Sequence, residues 1–216
     1  MTIQPMPGVQ PELEAWVREF ARLVIADADH LTALDSAIGD ADHGANLSRG
    51  LSTVVKTLDG EQFDAVDGLF KRVGMVLVST VGGASGPLYG TFFLRLGAAL
   101  PGASSVDAVG LAAAFRAGVE GLASRGRAVA GDKTMLDALL PAAEALAKHA
   151  EEGAAAAWAA ALAAAEFGRD ATEPLVARKG RASYLGERSA GHIDPGAASA
   201  TLLVAAGAAT LGAGDA

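Results

Sequence analysis

The sequence predicts an all-α protein on three observations. Alanine is abundant and runs together over residues 154–157 and 159–165; it is the strongest helix former, and its small side chain lets helices approach closely. Aromatic residues make up only 5% of the chain, and β-branched residues form no alternating clusters. Apolar residues instead recur at helical spacing in one segment after another. With 216 residues, 51% hydrophobic and 19% charged, the chain has enough apolar material for a sizeable core and is too apolar for global disorder.

Residues 1–10 read as a flexible start and 11–216 as a single domain. Pro11 suits a first helical turn, and Leu13, Trp16, Val17, Phe20 and Val24 mark one face of a helix running to about residue 25 or 28. Leu31, Leu34 and Ile38 give a short helical piece that Gly39 stops. Helices are then expected over about 45–58 and over 62–80, the second with Phe63, Val66, Phe70, Val73 and Leu77 inward. VGGASGPLYG, Val81 to Gly90, interrupts the pattern with four glycines and a proline. Helix resumes over about 91–100 and 105–125, and Asp132 is placed to cap a helix carrying Met135, Leu136, Leu139 and Leu140. An alanine-rich helix near 153–170, another near 172–178 and a closing helix bring the total to about eight, with no strand and no repeat.

A net charge of −8 argues against a nucleic-acid surface, which relies on patches of Lys and Arg. The chain has no cysteine, so disulfides, zinc–thiolate sites and thiol catalysis are excluded. The N-terminus lacks the basic and apolar regions of a signal peptide. The apolar C-terminal stretch is rich in Ala and Gly and reads as a core helix rather than a membrane span. The expectation is a cytoplasmic protein.

Four connections are polar and glycine-rich: 39–50, 81–90, 126–134 and 179–197. Long loops in a compact domain are usually functional. The first follows Asp35 and contains Asp40, Asp42 and His43. Hard divalent cations take oxygen ligands, and three carboxylates near one turn suit Mg²⁺ or Ca²⁺. An EF-hand loop beginning at Asp40 fails, because its sixth and twelfth positions hold Ala45 and Leu51 rather than Gly and Glu. Spacing alone leaves a second reading open, in which Asp35 caps a short helix while Asp40 and Asp42 are solvated turn residues.

A phosphorylated ligand would account for the other loops. HGAN, His43 to Asn46, opens one helix and GGASG, Gly82 to Gly86, precedes another, so each offers main-chain N–H groups at a helix start. Neither fits a P-loop or a dinucleotide fingerprint. His43 and His192 are candidate phosphate or metal contacts, whereas His30 and His149 read as ordinary surface or packing residues. A Ser85–His43–Asp194 triad can be written, but no nucleophile elbow supports hydrolysis.

ALDSAIGDADHGANLSRG, VGGASGPLYGTFF, GDKTMLDAL and KGRASYLGERSAGHIDPGA together resemble the DhaL family, the nucleotide-binding components of dihydroxyacetone kinases. The resemblance spans roughly residues 10–212. It extends to the C-terminal domain of ATP-dependent dihydroxyacetone kinases and, more distantly, to a fatty-acid kinase domain. It implies an antiparallel barrel of about eight helices whose loops at one end hold ADP or ATP. It also implies that Asp35, Asp40 and Asp42 bind two Mg²⁺ ions bridging to the phosphates. By the same resemblance His43, Gly44, Ala45, Asn46, Ala84 and Ser85 lie against the nucleotide, and Gly126 and Met135 line the base pocket. Arg181, Asp194, Pro195 and Gly196 complete the site.

Phosphoryl transfer needs positioning and charge neutralisation more than covalent help, so no catalytic side chain beyond this site is expected. Nothing in the chain reads as a site for a sugar-like acceptor. In the family, dihydroxyacetone is held by a separate component, DhaK, through a hemiaminal bond to a histidine. The resemblance therefore implies a phosphotransferase subunit with a DhaK-type partner and a DhaM-type phosphohistidine donor that rephosphorylates bound ADP. The alternatives are an ATP-exchanging kinase subunit for dihydroxyacetone or another small ketose, and a nucleotide-sensing module that contacts a transcriptional regulator.

Overall fold

The computed structural model describes residues 10–213 and is all-helical, with no strand among them. The helices are α1 (Pro11–Ala26), α2 (Ala28–Ile38), α3 (His43–Gly60), α4 (Val66–Thr80), α5 (Ser85–Ala98), α6 (Ala108–Gly126), α7 (Leu136–His149), α8 (Ala154–Asp170) and α9 (Pro195–Thr210). Short 3-10 turns occupy Ala150–Glu152 and Arg181–Ser189. The flexible start expected over residues 1–10 lies outside the described residues except for Gln10. That residue is tied down: its N–H donates to the Ser104 carbonyl at 3.0 Å, and its Oε1 accepts from Val106 N–H at 3.1 Å.

Packed neighbours run α1–α3–α4–α5–α6–α7–α8–α9 and return to α1, closing a ring, while α2 lies against α3 and α9. Helices α3, α5, α7 and α9 begin at one end of this ring, where α2, α4 and α6 finish; successive ring members therefore alternate in direction. None of the described helices is long and apolar enough to cross a membrane.

The ring closes on an aromatic core. Trp16, Phe70, Phe93 and Phe115 are fully buried and Trp158 nearly so. Trp16 meets Trp158 at 5.5 Å and Phe70 at 5.9 Å, both edge-on, the arrangement that ring quadrupoles favour. Its indole N–H donates to the Leu203 carbonyl of α9 at 2.9 Å. One side chain of α1 thus joins helices from opposite sides of the ring.

Three expectations are corrected. VGGASGPLYG is mostly helix: α5 starts at Ser85 and runs through Gly90. Pro87 falls in the first turn, where its missing N–H costs no helical bond. Gly90 serves close packing, not interruption. A Cβ on Gly90 would stand 2.8 Å from the Gly74 carbonyl, and one on Gly74 would stand 2.8 Å from the Gly90 carbonyl. The helix expected near 172–178 is absent. Pro174 supplies no N–H, and the carbonyls of Glu173 and Leu175 are taken by the Lys133 ammonium. Asp132 does not cap α7. Gly131 and Lys133 are left-handed (φ 83° and 62°), and Asp132 Oδ2 instead accepts from Val129 N–H at 2.9 Å. Asp137 caps this turn by accepting from the N–H groups of Gly131 and Thr134.

Candidate functional site

The four glycine-rich segments of the sequence come together at the end of the ring where α3, α5, α7 and α9 begin. They surround a cleft of about 670 Å³. Asp35, Asp40 and Asp42 line one side, each offering an oxygen within 4.8 Å of the other two. Asp35 sits near the end of α2 and is buried, and its Oδ2 accepts from the N–H groups of Asp42 (2.9 Å) and His43 (3.1 Å). That carboxylate ties the end of α2 to the start of α3. Between the other two acids Ala41 is left-handed (φ 60°), which turns the chain so that both reach the cluster. Gly39 is required beside them, because a Cβ there would fall 2.0 Å from Asp35 Oδ1.

One cation is paired with this cluster among the described residues. Arg181 Nε lies 2.8 Å from Asp40 Oδ2, with both side chains partly open to solvent. Three converging carboxylates against one exposed guanidinium leave a local excess of negative charge. An all-oxygen, half-open donor set of this kind fits Mg²⁺, which keeps free positions for water or phosphate oxygens.

The opposite wall suits an anion. The starts of α3 (Asp42, His43, Asn46), α5 (Ala84, Ser85), α7 (Met135, Leu136) and α9 (Pro195, Gly196) all line the cleft. Helix N-termini carry unpaired N–H groups and the positive end of the helix dipole. Leu88, Leu122, Gly126, Ala128 and Met135 add an apolar slot. The cleft therefore offers a cation position, an anion position and an apolar pocket side by side.

His43 is buried between these walls. Its Nδ1 pairs with Ser85 Oγ at 3.1 Å and its Nε2 with Ser199 Oγ at 2.9 Å. Ser199 also meets the Tyr89 hydroxyl at 2.7 Å and donates to the Gly196 carbonyl at 3.1 Å. Burial lowers the imidazole pKa against the pull of Asp35 and Asp42, so the ring is neutral near pH 7 and fixed at both nitrogens. The second nitrogen meets a serine rather than Asp194, so no Ser–His–Asp triad forms.

Asp194 caps α9, its Oδ2 accepting from Ala197 N–H at 2.7 Å. Burial pushes its carboxyl up to about 7, assisted by Asp137 and opposed by the Ala197 N–H and Lys133. The folded chain therefore binds a proton that the unfolded chain has released above the ordinary carboxylate value of 3.8. Stability from this group is full below that value and is lost as pH rises to about 7, by at most ~1.4 kcal/mol per pH unit. Asp194→Asn keeps an acceptor for Ala197 and carries no charge. Urea unfolding of this variant is expected to show a shallower fall in stability between pH 4 and 7 than the parent; equal slopes would contradict the buried carboxyl.

Among the residues expected at the site, Gly44 and Ala45 do not line the cleft. Gly44 is buried against α2, where a Cβ would stand 2.0 Å from the Ala28 carbonyl, and Ala45 is exposed on α3. Asp35, Asp40, Asp42, His43, Asn46, Ala84, Ser85, Gly126, Met135, Arg181, Asp194, Pro195 and Gly196 all line it. His192 contributes its carbonyl to Lys133 while the residue itself is exposed. His149 pairs with Glu152 at 3.0 Å, away from the cleft. The sequence reading missed Lys133, a cleft-lining residue only 1% exposed. One lysine among 17 basic residues gives no signal of burial, although its place in GDKT between two chain reversals was a hint.

Fold and site together define a class: an all-α module with a cleft suited to a phosphorylated ligand beside a carboxylate-bound cation. The chain belongs to the DAK2 domain family, whose match covers residues 37–209. It is 44% identical over 191 residues to the ADP-binding subunit DhaL of the PEP-dependent dihydroxyacetone kinase of Escherichia coli, covering 88% of this chain and 91% of that one. It is 46% identical over 188 residues to the corresponding subunit of kinase 1 of Listeria innocua, covering 87% and 90%. The crystal structure of the C. freundii dihydroxyacetone kinase in complex with AMP-PNP and Mg²⁺ superposes with a TM-score of 0.70 at 28% identity. That match covers 96% of this chain and 36% of the larger one.

Proposed function

We propose that this chain is the nucleotide-carrying phosphotransferase subunit of a PEP-dependent dihydroxyacetone kinase. The observation that carries this reading is the convergence of the Asp35–Asp40–Asp42 cluster and four helix N-termini on one cleft. The names of the Escherichia coli and Listeria innocua relatives support it. ADP would lie with its base in the slot of Gly126 and Met135 and its phosphates toward Asn46, Ala84, Ser85 and the start of α9. Two Mg²⁺ ions held by the three aspartates would neutralise the phosphate oxygens, the main requirement of phosphoryl transfer.

The protein's own part is positional. Asp35 fixes the α2–α3 turn, and the neutral His43 orients Ser85 toward the phosphates. Arg181, paired with Asp40 and lining the cleft in the structure, would meet a phosphate oxygen of the bound nucleotide. The acceptor, dihydroxyacetone, would be held by a DhaK-type subunit docked at the open end. A DhaM-type phosphohistidine protein would restore ATP from the ADP in place.

Heat denaturation of the purified chain is expected to release close to one ADP per chain, read by chromatography of the supernatant. Turnover should then require both partner proteins. Rapid exchange with free ATP, and turnover with the acceptor-binding subunit and ATP alone, would replace the bound-cofactor version with an ATP-dependent one. Absence of any Mg·nucleotide binding would overturn the reading altogether.

A further inference from the structure

Lys133 has no part in the chemistry just described, yet it is among the most enclosed charges of the chain, 1% exposed. Its Nζ lies 2.5 Å from the His192 carbonyl oxygen, 2.7 Å from that of Ser189, 3.1 Å from that of Leu175 and 3.4 Å from that of Glu173. These carbonyls come from both limbs of the segment 171–194. Glu173 and Leu175 lie on the limb leaving α8, and Ser189 and His192 on the limb returning to α9. An ammonium has three donors, so four converging carbonyls form a cage like those that replace the hydration shell of a monovalent cation.

The rest of the segment is held mainly by hydrogen bonds. Its apolar contacts are a small cluster of Ala177 and Ala182 with Ile38, joined by Leu185, and Ile193 against the main core. Three other bonds join the limbs: Ala177 N–H to Ser189 Oγ at 2.9 Å, Gly191 N–H to the Glu173 carbonyl at 2.8 Å and Asp194 N–H to Thr172 Oγ1 at 3.0 Å. Arg178 N–H adds a bond to the Asp132 carbonyl at 3.0 Å. The ammonium alone gathers carbonyls of both limbs at one point. Between the limbs stands Arg181, on Asp40.

We propose that Lys133 is a positioning residue of the nucleotide site: its ammonium cross-links the two limbs of 171–194 and so holds Arg181 over the aspartate cluster. This rests on the reading of the cleft as a Mg·nucleotide site. Without the ammonium, the carbonyls of Leu175, Ser189 and His192 converge in a buried space with no donor, while that of Glu173 keeps only the Gly191 N–H, and they separate. None of α1–α9 lies within this segment, so the loss falls on ligand binding rather than on the packing of the ring. A small cation that enters the cage takes over the lost role.

The test uses the full chain as Lys133→Ala, Arg181→Ala and the double variant. ADP affinity with Mg²⁺ is read by calorimetry, Mn²⁺ affinity without nucleotide by paramagnetic resonance, and opening of the segment by trypsin cleavage at Arg178, Lys179, Arg181 and Arg188. Lys133→Ala is expected to lower ADP affinity at least tenfold and to speed cleavage at least tenfold. Mn²⁺ affinity should stay unchanged or rise, because Asp40 loses a competing cation. The double variant should bind ADP within twofold of Arg181→Ala alone. Methylammonium or K⁺ should restore ADP binding to Lys133→Ala and leave Arg181→Ala unaffected.

Losses that simply add in the double variant would overturn the proposal, as would parental ADP affinity and trypsin resistance in Lys133→Ala. If Lys133→Ala does not fold, Lys133→Gln, which keeps two donors without the charge, carries the same comparison. Failure of the parent chain to bind Mg·ADP would instead sink the nucleotide reading, and the cleavage rates would still judge the cross-link.

Discussion

Asp40→Asn is expected to weaken Mg²⁺ and ADP binding together, each by roughly 100-fold, about 2.7 kcal/mol. The two losses are linked because, on the proposed function, the cation would join the carboxylates to the phosphates. Removing one negative charge from a half-open site lowers its hold on a hard divalent ion, and the nucleotide then meets a cluster that repels its phosphates. Asp40 is exposed, so the fold itself should tolerate the change. Calorimetric titrations with Mg²⁺, and with ADP at fixed Mg²⁺, measure both terms. Binding of both ligands within twofold of the parent would show that the cluster is not the cation site. The ligand's contribution to stability should fall in step, since ADP raises the unfolding free energy by RT ln(1 + [L]/Kd).

The largest expected effect on the fold comes from Trp16→Ala, a loss of ~4 kcal/mol in urea unfolding and a melting temperature lower by roughly 10 °C. Trp16 is fully buried and touches the rings of Phe70, Phe93, Phe115 and Trp158. Truncation opens a cavity that these large, mutually packed rings cannot fill. It also leaves the Leu203 carbonyl without its indole donor. Trp16→Phe keeps most of the volume and should cost less than half as much. A loss below about 1 kcal/mol for the alanine variant would mean that the ring of helices collapses to fill the space.

Much of this fold was legible because apolar spacing reports which helix face is buried. Leu13, Trp16, Val17, Phe20 and Val24 all lie in the core, as their spacing required. What misled was glycine. In VGGASGPLYG it was read as a breaker, but Gly90 lets α5 meet α4 backbone to backbone opposite Gly74. A single chain does not reveal whether a glycine is present for its dihedral freedom or for its missing side chain; only the neighbour across the contact decides. The 172–178 segment failed for a related reason, since the group that draws its carbonyls away, Lys133, is distant in sequence. At the site, the acids of 35–42 were visible as a cluster because they are local. Their pairing with Arg181, about 140 residues on, was available only through the order of motifs along the chain.

The ring closes by setting α9 against α1. α9 starts at the cleft and ends at the opposite face. Gln10, just before α1, is pinned to the α5–α6 connection on that same face. Among the described residues, the start of α1 and the end of α9 thus share one pole, and the cleft lies at the other. Anything attached beside Gln10 or beyond α9 would sit like the handle of a cup, leaving the mouth open. The same fold covers 36% of the larger C. freundii kinase chain, where a module reached from that pole keeps its cleft free.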